Sequence, residues 1–239
     1  MYADDLVLIS ISVVDLQSMI QVCVDVFSSL DLPINISKCN YIRIGPRFNT
    51  NISLHVQNTL LIAVDSLKFL GIDIIRASSF ECSWSEAKSK YFISANTILG
   101  RLGSSAPLNI LIKLINSHGL QKLLYGCTSI SLNQKELSNL EFTYNSFFAK
   151  IFKTNLKSTI LECFYFCGNL PLYLTYDLQR FIFLRKLFAQ GFLKHGFALD
   201  ISDLDDLVRI QNRYVFHIND NPSVLKDKLW SWFSKQLTV

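Results

Sequence analysis

The rhythm of apolar and polar positions changes twice along the chain. Residues 6–14, Leu-Val-Leu-Ile-Ser-Ile-Ser-Val-Val, form a nearly continuous apolar run. Such a run predicts a buried strand after a turn at Asp4-Asp5, in a hairpin that carries both acids at its tip. From Asp15, a residue suited to an N-cap, Leu16, Ile20, Cys23, Val24, Phe27 and Leu30 recur every three or four residues, as on one helix face. Asp31-Leu32-Pro33 stops that helix. Residues 41–44 read as a short strand broken by Gly45-Pro46, and residues 52–64 as strand-like runs around a turn at Asn58-Thr59.

Downstream the period becomes helical. Helices are predicted over 84–102, 108–125 and 134–152, the first two joined by Gly103-Ser104-Ser105-Ala106-Pro107. Beyond residue 157 the pattern thins, with 181–192 and 200–213 read as helices. The aromatic cluster Trp230, Trp232 and Phe233 is expected to pack in a core. Strands first and helices after make an α+β domain followed by a helical one.

Composition adds limits. The 239 residues suit one large domain or two small ones, and a hydrophobic fraction of 50% with 18 Phe and 9 Tyr predicts packed rather than disordered chain. The most apolar stretches, 6–14 and 163–176, are shorter than the roughly 20 residues of a spanning helix. No signal-peptide pattern follows Met1. The expectation is an intracellular protein, cytoplasmic or nuclear, neither secreted nor transmembrane. The six cysteines include no C-x-x-C pair, and Cys163 and Cys167 have no histidine at a zinc spacing; reduced, mostly buried thiols are expected.

Charge changes the picture more than its sum of +4 suggests. Residues 1–86 hold 9 acids and 5 bases, 87–161 hold 2 and 9, and 162–239 hold 8 and 9, giving −4, +7 and +1. The basic middle carries Lys88, Lys90, Arg101, Lys113, Lys122, Lys150, Lys153 and Lys157. It suits a polyanion partner, and equally a solvated lysine-rich helix face. Lys150, Lys153 and Lys157, spaced by three and four, are predicted to form one helical stripe.

Adjacent carboxylates on a stiff turn can hold Mg²⁺, and two-ion nucleotidyl transfer needs carboxylates so placed; Asp-Asp is also ordinary turn chemistry. The order of further motifs narrows this. Tyr2-Ala3-Asp4-Asp5 with Leu6-Val7-Leu8-Ile9, Leu32-Pro33-Ile34-Asn35-Ile36-Ser37-Lys38-Cys39, Ser66-Leu67-Lys68-Phe69-Leu70-Gly71-Ile72 and Leu123-Leu124-Tyr125-Gly126-Cys127 together resemble the palm and thumb of non-LTR, LINE-type retrotransposon reverse transcriptases. Asp31 stands where that family usually has glycine, and Phe69 where tyrosine is frequent. The resemblance covers about residues 1–160. It implies a partial palm over 1–80, made of an antiparallel hairpin plus a helix, a helical thumb over 81–161, and a C-terminal helical region, 162–239, of unassigned role.

Carried over by position, the resemblance implies Asp4 and Asp5 as catalytic ligands of Mg²⁺. Lys38 would stand near the pyrophosphate leaving group, although a solvated turn lysine fits the same letters. Phe69, Leu70 and Gly71 would be a primer grip, and the eight basic residues would contact phosphates of an RNA template and DNA primer duplex. The family's third essential carboxylate and its fingers lie on segments not found in residues 1–239. A fragment of an RNA-directed DNA polymerase, without polymerase activity by itself and with Mg²⁺ relevant only in the complete enzyme, is the expectation. A non-catalytic nucleic-acid-binding remnant, or a decayed element without function, is the alternative.

Overall fold

The computed structural model describes residues 5–103, 106–189 and 201–237. It is an α+β chain, mostly helical with small sheets, and divides into two compact units, Met1–Trp84 and Ser85–Val239.

In the first unit the apolar run 6–14 is not a strand. Asp5 makes one isolated bridge, and residues 6–10 have no regular structure. The physical reason is twofold. Among the described residues no strand lies beside the run to take its backbone hydrogen bonds, and its serines redirect it. Ser10 Oγ accepts from Ser12 N (3.1 Å) and donates to Ser12 O (3.0 Å), a local arrangement that competes with a ladder. Ser12 then caps helix α1 (Val13–Ser29) by accepting from Asp15 N. The N-cap is therefore Ser12 rather than Asp15, and the hairpin with two acids at its tip does not form over the described residues. Ile9 and Ile11 remain exposed.

Helix α1 buries Ile20 and Val24 against Tyr41, Leu54, Val56 and Leu61, with Leu16, Ile34 and Ile52 around them. Two short ladders complete this core: β1 (Asn40–Tyr41) runs parallel to β4 (Ile62–Ala63), and β2 (His55–Val56) antiparallel to β3 (Thr59–Leu60). The strand expected over 41–44 is thus confined to its first residue and Asn40. The Gln17 side chain stands in for a missing strand: its Nε2 donates to His55 O and its Oε1 accepts from His55 N, both at 2.8 Å. A three-stranded antiparallel meander follows, β5 (Ser66–Phe69), β6 (Ile72–Ile75) and β7 (Glu81–Ser83).

The second unit begins with α2 (Ser85–Leu102), close to the predicted 84–102. The segment predicted as one helix over 108–125 is a rod of three parts: α3 (Leu108–Leu114), a π turn over Ile115–Leu120, and α4 (Gln121–Leu123). Its buried residues are Leu111, Ile112 and Ile115, then Gly119, Leu120, Leu123 and Leu124. In an unbroken α-helix, at about 100° per residue, the two groups would lie about 100° out of line. The wider π turn absorbs one residue and realigns them. Gly119 is required there, since a Cβ would stand 2.5 Å from Ile115 Cδ1 and 3.2 Å from the Tyr91 ring. Gly126, at φ +75°, ends the rod in the left-handed conformation that favours glycine.

Helix α5 (Gln134–Phe152) has the predicted bounds, set by a capping box between Asn133 and Glu136. Helices α6 (Lys157–Phe166) and α9 (Pro222–Leu237) fall within or at the edge of the helical region expected over 162–239, where the letters gave them no bounds of their own. Helix α7 (Leu172–Ala189) starts nine residues before the predicted 181, because Tyr176, Asp177 and Arg180 are polar-looking letters that are in fact buried. Helix α8 (Ile201–Tyr214) matches 200–213, whose first residue lies outside the described ones, as does 192. Tyr144, Phe148 and Phe164 interlock α5 with α6 at centroid distances of 4.5–5.7 Å. Trp230 packs on Phe233, and Trp232 sits edge-on to Tyr214 at 5.2 Å. All six cysteines are free thiols; only Cys82 and Cys127 are buried, so the expectation of mostly buried thiols does not hold.

Candidate nucleic-acid interface

Tyr2, Ala3 and Asp4 lie outside the described residues. Asp5 is exposed. Lys38 closes a short 3₁₀ turn, Ile36–Lys38, and is exposed. Among the described residues no group of three or more His, Cys, Asp or Glu is arranged to hold a metal ion.

Phe69, Leu70 and Gly71 occupy a tight two-residue turn of the first unit. Phe69 pairs with Ile72 across β5 and β6, and the two residues between them both have positive φ, +48° at Leu70 and +81° at Gly71. That is the two-residue hairpin turn whose twist suits antiparallel strands. Glycine adopts it freely; leucine does so under strain. The strained, half-exposed Leu70 is held in place by the ladder on either side, an arrangement that often marks contact sites.

The eight basic residues all lie in the second unit, and the fold sorts them. On α2, Lys90, Ser94, Thr97 and Arg101 recur at intervals of four, three and four, hence along one stripe. Lys90 is paired with Glu86 at 2.9 Å. Lys122, from α4, donates through Nζ to Ser94 Oγ at 2.9 Å, so its ammonium lies over the same stripe. Arg101 and Lys113 are exposed. Lys150 instead reaches Asn96 Oδ1 at 3.3 Å, and Asn96 is about 200° around α2 from Ser94. Lys88, partly buried, also lies away from the stripe.

The predicted stripe of Lys150, Lys153 and Lys157 does not exist as one helix face. Helix α5 ends at Phe152, Lys153 is its left-handed C-cap at φ +53°, and Lys157 opens α6. The chain turns at Lys153, and the three-and-four spacing is interrupted. Lys157 Nζ stands 3.8 Å from Glu141 Oε1. Burial pushes the Glu141 carboxyl up, with Lys157 opposing.

No protein-family model matches the chain, and no curated protein or solved structure matches it either.

Two polar networks escaped the sequence reading. One links Tyr91, Asn116, Tyr144 and Asn169: Tyr91 Oη donates to Tyr144 O (2.8 Å), Tyr144 Oη to Asn116 Oδ1 (2.8 Å), Asn169 Nδ2 to Tyr144 Oη (2.9 Å) and Asn116 Nδ2 to Asn169 Oδ1 (2.7 Å). The other is ionic. Arg180, at 0% exposure, donates to Thr128 O (3.0 Å), Asp206 Oδ2 (3.2 Å) and Asp203. Asp177 accepts from Tyr214 Oη (2.7 Å) and Arg209 Nη2 (3.2 Å). Burial, then the Asp177 charge, pushes the Tyr214 phenol up. A signal was present in the letters: Asp203, Asp206, Arg209 and Arg213 repeat at three, three and four along one helix.

Proposed function

We propose that the chain is a fragment of an RNA-directed DNA polymerase of the non-LTR retrotransposon kind, with part of a palm in its first unit and a thumb-like helical unit after it. It contributes nucleic-acid contact and does not polymerise by itself. The observation that carries the reading is the turn at Leu70-Gly71: the segment singled out by letters as a primer grip is a tight, strained hairpin tip, suited to close backbone approach by a nucleic-acid strand. Cations exposed on α2, α3 and α4 support it, since phosphate contact needs solvent-facing positive charge rather than sequence readout. The exposed outer stripe of α1, Met19, Val22 and Val26, with its C-cap Leu30 and with Ile9 and Ile11, is the kind of apolar surface that a larger assembly covers.

The second reading is a nucleic-acid-binding remnant in which binding persists and catalysis does not. One pair of assays tests what the two readings share. An RNA–DNA hybrid should bind with an affinity that falls steeply as salt rises, and primed template RNA with Mg²⁺ and nucleotides should not be extended. Salt-independent binding sinks both readings, and processive extension sinks the claim of inactivity. As to location, no helix among the described residues is long and apolar enough to cross a membrane.

A further inference from the structure

We infer that the π turn at Ile115–Leu120 is a phasing device that brings Lys113 onto the side of the rod where Lys122 meets α2, so that Arg101, Lys113 and Lys122, with Lys90 at the margin, form one phosphate-facing surface. The inference rests on the nucleic-acid reading above and names the residues that carry it.

Lys113 and Lys122 are nine residues apart. On an unbroken α-helix, at about 100° per residue, they would point in opposite directions, about 180° apart. The π turn absorbs one residue, which leaves them about 80° apart. The burial pattern gives the same answer independently: Leu111, Ile112 and Ile115 above the turn and Gly119, Leu120, Leu123 and Leu124 below it are all buried, which fixes the relative rotation of the two halves. Lys122 is anchored at Ser94, on the stripe that also holds Arg101 and Lys90. Arg101 and Lys90 are eleven residues apart on α2, so the surface extends about 16 Å along the helix, enough to meet several phosphates of one strand. Lys90 shares its charge with Glu86 and contributes less. Lys150 and Lys88 face elsewhere and belong to no part of the surface.

The test uses the full chain, an RNA–DNA hybrid duplex and the slope of log Kd against log salt, to which each contacted phosphate contributes about 0.7–0.9. Lys113→Gln and Lys122→Gln should each lower the slope by about that amount, and Lys150→Gln should not. Adding Asn109→Lys to Lys113→Gln places a cation one turn earlier on the same stripe and should restore the slope; adding Leu108→Lys instead, about 140° away, should not. Deleting the exposed Ser117 removes the absorbed residue, converts the π turn to α and preserves the phase, so the slope should stay and should remain sensitive to Lys113→Gln. If the deletion variant melts early, the Asn109 and Leu108 pair decides alone. A wild-type chain bound without salt dependence removes the nucleic-acid reading and this inference with it. Salt-dependent binding that is indifferent to Lys113→Gln, or rescued equally by both relocations, overturns the phasing alone.

Discussion

Replacing Arg180 with alanine is expected to destabilise the second unit by about 3–5 kcal/mol, the range for removing one partner of a buried ion pair. The guanidinium is fully buried and joins three segments: its own helix α7, the backbone at Thr128, and the carboxylates of Asp203 and Asp206 on α8. Alanine would leave Thr128 O without its donor and Asp206 desolvated with one cation fewer. The loss is tempered because Asp206 keeps Arg209 at 3.0 Å, which favours the lower end of the range. Arg180→Lys retains charge but not the planar fork, and one ammonium cannot meet three acceptors spread over two other segments. It should recover less than half of the loss. Urea unfolding followed by far-UV circular dichroism reads the change in midpoint at constant slope. A cost below about 1 kcal/mol for Arg180→Ala, the level of an exposed pair, would refute the claim that this side chain ties α8 to α7.

Other substitutions and pH follow from the same structure. Burial raises Tyr173 and Tyr176 to about 12, and raises Tyr91, Tyr144 and Tyr214 further. Folded-state values above the unfolded value near 10 give stability that is complete below pH 10 and lost as pH climbs through 12. An ultraviolet titration should therefore show these five phenols ionising only late or on unfolding, and early ionisation of all nine tyrosines would contradict it. Glu141 is raised by burial, so its ionisation opposes folding above the usual carboxylate range. Glu141→Gln should stabilise the chain at pH 7, with the gain disappearing as pH falls below about 4.3. Melting curves at the two pH values check the sign. Gly119→Ala should cost about 1–3 kcal/mol by overpacking, because Ile115 and Tyr91 are themselves fully buried and have little room to retreat.

What the letters disclosed and what they hid divide along a physical line. Helix α5 was legible to the residue because its start is a local chemical event, Asn133 capping Glu136 and the reverse, and its face is regularly apolar. Helices α2 and α8 were legible from apolar positions spaced by three and four, such as Tyr91, Ala95 and Ile98, and Leu207, Ile210 and Tyr214. The run 6–14 was misread because a strand depends on its neighbours; apolar letters give the capacity to pair but not the partner. Helix α7 was foreshortened because Asp177 and Arg180 satisfy each other's surroundings through α8, a long-range fact that a window of local hydrophobicity cannot register. Of the candidate site, the tip at Phe69-Leu70-Gly71 could be located in sequence, but its strained geometry could not. The clearest case is the rod over 108–123. Its apolar letters describe one helix whose stripe drifts by about 100°, and a drift of that size has only a few remedies: a supercoil, a break or an absorbed residue. The fold takes the third. The same rotation that keeps leucines inside then decides where Lys113 points, so the placement of an exposed cation is a by-product of how the core is kept in register.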